Sequence, residues 1–81
     1  MTTSRNMLHI DKLADFKAWL IEHGWREVKT NGDWEVLRMR HDNHLHPLIV
    51  YTSSHATEHY TTHGIAFTMC TLWLRDRKNA V

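Results

Sequence analysis

Asn31-Gly32 stands between two strand-like runs, Trp25-Arg26-Glu27-Val28-Lys29-Thr30 and Trp34-Glu35-Val36-Leu37-Arg38-Met39-Arg40-His41. Asn and Gly both tolerate positive φ, and such a step between two runs of this kind is the strongest short-range signal for a β-hairpin. It commits residues 25–41 to a pair of adjacent antiparallel strands, and the rest of the chain has to be arranged around that pair.

A helix is expected before the hairpin. Leu13, Phe16 and Leu20 fall on one narrow stripe at helical spacing, with Ile21 on its edge and Trp19 off it and partly exposed. Asp11 is placed to cap the free amides at the start. Gly24 suits the left-handed position that closes a helix, so Trp25 can fold back on Leu20. After the hairpin, the loop Asp42-Asn43-His44-Leu45-His46 ends at Pro47, and Leu48-Ile49-Val50-Tyr51-Thr52 reads as a central strand that Pro47 can only begin. Glu58-His59-Tyr60-Thr61-Thr62-His63 reads as a more polar fourth strand at an edge. From Gly64 to Lys78, Ile65, Ala66, Met69, Leu72 and Trp73 share a helical face, and Arg75, Arg77 and Lys78 sit where positive charge complements a helix dipole. The rival for this segment is a strand, because Phe67-Thr68-Met69-Cys70-Thr71 is poor helix material. A helix is preferred because two helices cover a sheet better than one. The expected fold is α+β and two-layered, in the order α-β-β-β-β-α: an antiparallel sheet of three to four strands with two helices on one face. Residues 1–8 are expected to be mobile, residues 9–78 to form the domain and residues 79–81 to be a tail.

Composition narrows the function classes. A chain of 81 residues makes one small domain, and its single cysteine, Cys70, cannot close an internal disulfide. Cys70 lies in an apolar segment and reads as a buried, inert thiol. Lys and Arg total 10 against 9 Asp and Glu, a net charge of +1, which argues against a dedicated nucleic-acid binder. The eight histidines would raise that charge to +9 if all were protonated. Unperturbed imidazoles titrate near about 6.5, so mild acid would favour polyanions. No run approaches the roughly 18 apolar residues of a membrane span. With no signal-peptide core near Met1 and a lone cysteine, a cytoplasmic setting is expected.

Three constellations bear on chemistry. His55-Ala56-Thr57-Glu58-His59 spells H-x-x-E-H, in which two histidines on one helical face bind zinc and the Glu is the general base. Its flanks favour strand or loop, so the match reads as chance and the chain as no enzyme, with no cofactor. A plainer transition-metal site would use His44, His46, His55 and His59. Residues 55, 59 and 63 on one strand are spread about 13 Å per step, however, too far apart for one ion. Arg38 and Arg40 share a strand face, and strict alternation puts Trp34 and Val36 on it as well. With Arg26 they form a basic, aromatic surface. Phe67 and Leu74, seven residues apart, share a second helical face that either packs on the first helix within the monomer or serves as an assembly surface, including for a homodimer.

The segments Asp15-Phe16-Lys17-Ala18-Trp19-Leu20, Trp34-Glu35-Val36-Leu37-Arg38-Met39-Arg40 and Pro47-Leu48-Ile49-Val50-Tyr51 resemble short uncharacterised proteins encoded by phages and prophages. The likeness covers most of residues 11–75, leaves out the histidines around 41–63 and carries over no functional residue. It implies a small accessory protein inside a bacterial host. The expected function is therefore non-enzymatic binding, and through binding inhibition, of a host or phage macromolecule, foremost a protein. Trp34, Arg38 and Arg40 are its binding surface, and Phe67 and Leu74 its assembly surface. The alternatives are a nucleic-acid module using the Arg/Trp face and a histidine-rich metal binder. No membrane partner is expected.

Overall fold

The computed structural model describes residues 7–53 and 58–79, with side chains through Arg77. The elements are β1 (Met7–His9), a 3-10 turn (Ile10–Lys12), α1 (Leu13–Glu22), β2 (Arg26–Val28), β3 (Glu35–Arg40), β4 (Leu48–Tyr51), β5 (His59–Thr62) and α2 (Ile65–Asn79). All neighbouring strands pair antiparallel, in the order β1-β5-β4-β3-β2. The fold is a two-layer α+β domain. Its shortest dimension, 19 Å, is about what a sheet and one layer of helices require.

Helix α1 ends as Gly24 implies. Gly24 takes φ +94°, its N–H donates to the Ile21 carbonyl, and the Trp25 N–H reaches back to the Leu20 carbonyl at 3.0 Å. These two bonds make a Schellman closure. They turn the chain sharply, so that Trp25 enters the core where β2 begins. A side chain on residue 24 would have its Cβ 2.8 Å from His41 Nε2, so the turn also fits against the end of β3.

The core lies between the helices and one sheet face. Phe16 and Leu20 come from α1, Ala66, Cys70 and Trp73 from α2, and Leu8, Leu37, Met39, Leu48 and Val50 from the strands, and Trp25 is buried in the same cluster. The Phe16 and Trp73 rings lie 5.3 Å apart across the helix pair, and Trp19 Nε1 donates to Asp76 Oδ2 at 3.0 Å just above them. Burial of Ala66, Cys70 and Trp73 outweighs the poor intrinsic helicity of residues 67–71. The two threonines there bond back to the preceding turn, Thr68 to the Gly64 carbonyl and Thr71 to that of Phe67.

Several expectations change in detail. The sheet has five strands: Met7–His9 falls partly in the segment read as mobile, yet pairs with His59–Thr61. That pairing moves β5 from the edge to the interior. The Asn31-Gly32 step does not make a two-residue turn. β2 stops at Val28 and pairs with Arg38–Arg40, leaving a longer connection in which only Gly32, and not Asn31, has positive φ. Asp11 does not cap α1. The 3-10 turn intervenes, and it is His9 Nδ1 that accepts a hydrogen bond, from the Asp11 N–H.

The hydroxyl of Thr62, fully buried where β5 meets β4, has no hydrogen-bond partner among the described residues. An unpaired buried hydroxyl costs more than a methyl of the same shape. Thr62→Val is therefore expected to stabilise the protein by about 1 kcal/mol, read as a higher urea midpoint with an unchanged slope.

Candidate functional site

Strand register assigns each side chain to one of two sheet faces. Leu8 opposes Tyr60, Thr62 opposes Val50, Val50 opposes Leu37, and Met39 opposes Leu48, all on the helix side. On the other side, Met7, Thr61, Tyr51 and Glu35 form one row across four strands, and Ile49, Arg38 and Val28 form a second. Arg40 and Arg26 end this face at the β2 edge. No element among the described residues covers it. Its apolar members Met7, Val28, Ile49 and Tyr51 are only half-buried, shielded by their neighbours within the sheet.

A register shift between Glu35 and Leu37 overturns the strict alternation read from sequence. Val36 is the extra residue of a bulge, and it packs against the core cluster instead of sharing a face with Arg38 and Arg40. Glu35 takes the place expected for Val36. The bulge brings residues 35 and 38 onto the same side, where Arg38 Nη1 donates to Glu35 Oε2 at 2.8 Å. Glu35 Oε1 accepts the Asn31 N–H at 2.8 Å. The carboxylate is thus held on both oxygens, with its side chain 8% exposed. The Asn31 amide, followed by the Arg38 guanidinium, holds its pKa below the ordinary value against the opposing effect of burial.

Arg26 and Arg40 are direct register partners. Arg26 Nη1 donates to Asp42 Oδ1 at 2.8 Å, and that bond and charge lower the Asp42 pKa. Arg40 has no ionic or hydrogen-bonding partner among the described residues. Beside these groups, the loop after β3 is fastened by its own ring contacts. His44 stacks on Trp25 at 4.9 Å, and His41 meets both rings edge-on, at 5.1 and 5.2 Å. His41 Nδ1 accepts the Asn43 N–H, which leaves Nε2–H to donate to the His23 carbonyl at 3.1 Å. An open groove of about 460 Å³ lies against this loop and the two arginines.

The other candidates are placed apart. Trp34 is 65% exposed just before β3, and its carbonyl accepts the Thr52 N–H. Phe67 is half-buried, and Leu74 is exposed on the flank of α2, beside the face that carries Ala66, Cys70 and Trp73. Burial raises the pKa of the Cys70 thiol, as an inert core cysteine requires. His44 sits near the β2 edge on Trp25. His59 starts β5 near the opposite edge, with its ring 5.1 Å from that of His9. His46 lines a separate apolar hollow with Ile49, Tyr51 and His63. His55 lies outside the described residues, as do positions 56 and 57 of the H-x-x-E-H run, and His59 belongs to a strand. No group of three or more metal-ligating side chains gathers among the described residues.

Sequence reasoning missed Glu35, Asp42 and the Trp25–His41–His44 stack. The first depends on a bulge, and the others on approaches between residues sixteen or more apart in the chain. None of these leaves a local pattern. No helix among the described residues is long and apolar enough to cross a membrane. The chain matches no protein-family model, no curated protein and no solved structure.

Because Glu35 has a depressed folded-state pKa, its contribution to stability is complete above its unfolded value, about 4.3. That contribution is lost as pH falls through the lower folded value. Glu35→Gln is therefore expected to lower the urea midpoint at pH 6, and the gap from the parent protein should narrow progressively as the pH falls below about 4.3.

Proposed function

We propose that this chain is a non-enzymatic binding protein that docks a protein partner on the outer face of its sheet. The observation that carries this reading is the uncovered patch of Met7, Val28, Ile49 and Tyr51, which meets a basic corner at Arg26 and Arg40. A small domain gains most from burying such a face against another surface. Apolar anchors beside arginine are the usual composition of strong contact points. Arg38 acts mainly as a strut for Glu35, and Arg40 offers its donors outward. Trp34 is exposed just before β3, and this reading does not require it.

A protein partner fits better than a nucleic acid. Two of the three arginines already hold carboxylates, Arg26 with Asp42 and Arg38 with Glu35. The net charge is +1, so few phosphates would be neutralised and little counterion released. Phe67 and Leu74 lie on the helical layer, a separate surface that this reading does not require.

A photo-crosslinking amino acid in place of Tyr51 tests the reading in lysate of the source cell. The expected result is a discrete protein adduct that survives nuclease treatment. Ile49→Asp should reduce it at least tenfold without altering the circular dichroism spectrum, and the same crosslinker at position 74 should not form it. Absence of an adduct above the position-74 control would overturn the proposal. An adduct that disappears with nuclease would replace it with the nucleic-acid reading.

A further inference from the structure

We infer that the groove between the β2–β3 edge and the loop after β3 is a binding site for a phosphoryl-type oxyanion, held between Arg40 and Arg26. Like charges directly opposite each other on paired strands destabilise a sheet, yet register makes Arg26 and Arg40 direct partners, and both line the groove. One carboxylate, Asp42, stands at this corner, and among the described residues it meets Arg26 alone. Asp42 meets Arg26 through a single contact at 2.8 Å, with both side chains mostly exposed, and an exposed pair of this kind adds little stability. Arg40 is left with its fork of donors unused. The corner therefore carries one uncompensated positive charge, and two if Asp42 swings aside.

The walls beside this charge are already built. The His44 N–H donates to the His41 carbonyl, the Asn43 N–H is taken by His41 Nδ1, and the His44 ring lies on Trp25. The loop therefore holds its shape without a ligand, which lowers the ordering cost of binding one. Paired guanidiniums suit a tetrahedral oxyanion better than a planar carboxylate. Such an anion has oxygens to offer on two sides, and a phosphate monoester carries a charge of about −1.5 to −2 near neutrality. That charge matches two arginines. Asp42 occupies part of the position the ligand would take and acts as its intramolecular competitor.

The site shares Arg26 and Arg40 with the docking face, but its failure is distinguishable from that of the docking reading, because it is tested with a small-molecule probe and not by crosslinking at Tyr51. Amide and arginine Nε–H spectra would be followed during titration with orthophosphate, O-phosphoserine or adenosine monophosphate, with ionic strength held constant by chloride. The expected result is saturable shifts confined to Arg26, Arg40 and residues 41–45. Affinity should fall at least tenfold in Arg40→Ala and less in Arg40→Lys. It should rise severalfold in Asp42→Asn, a gain that a merely structural Asp42 would not produce. Whichever organic phosphate binds more tightly than orthophosphate identifies the group attached to the phosphoryl. Absence of saturable shifts at Arg40 with all three probes would overturn the site. So would equal affinity in Arg40→Ala, or no tightening in Asp42→Asn.

Discussion

The single extra residue in β3 decides what each side of the sheet presents. With unbroken alternation, Glu35 would share its side with Leu37 and Met39, which are in the core, and a carboxylate would have to be accommodated there. The register shift sends Val36 inward and Glu35 outward. On the outer side Glu35 finds the Asn31 amide and the Arg38 guanidinium. A charge this poorly exposed is tolerated only when its oxygens are satisfied, and both are. The connection from β2 to β3, the placement of Arg38 and the remaining freedom of Arg40 all follow from that bulge.

The elements legible in sequence were those written in local patterns. The stripe of Phe16 and Leu20, closed by Gly24 and Trp25, marks α1 because the Schellman geometry needs neighbours only a few residues apart. Leu48–Tyr51 is apolar on both sides because it is the middle strand of five. β1 was illegible because three residues carry no periodicity. They become a strand only through a partner some fifty residues away, with Leu8 dropping into the core opposite Tyr60. The site was less legible than the fold. Arg26, Arg38 and Arg40 stand out in the sequence, but which of them is neutralised depends on Asp42 and Glu35, whose approaches are tertiary.

The histidines illustrate how composition misleads when it is read as one signal. Eight in 81 residues suggest a common purpose, but four of the described ones serve different local contacts. His9 accepts the Asp11 amide at the 3-10 turn. His23 donates through Nδ1 to the Trp19 carbonyl at 2.7 Å, with its other nitrogen 4.0 Å from Asp76. His41 braces the helix-closing turn and the following loop, and His44 lies flat on Trp25. In each case imidazole serves as a short aromatic carrying a donor and an acceptor, joining segments that neither an aliphatic nor a charged side chain could join as well.

This division of labour bears on what the surface is for. The helical layer uses its polar groups to hold itself together: Trp19 and His23 converge on Asp76, and Lys17 reaches Glu27 at 2.6 Å to tie α1 to the edge strand. The outer face is organised differently. Among the described residues, its apolar side chains have no second layer, and its basic corner has one fewer carboxylate than guanidiniums. Selection for the stability of an isolated domain would favour an acid opposite Arg40 and polar residues in place of Ile49 and Tyr51, since neither change touches the core. Keeping apolar area and unspent positive charge next to each other makes physical sense where something else supplies the apolar cover and the anion. The two demands fall on adjacent parts of one surface, so one partner bearing both an apolar patch and an anionic group would satisfy them together.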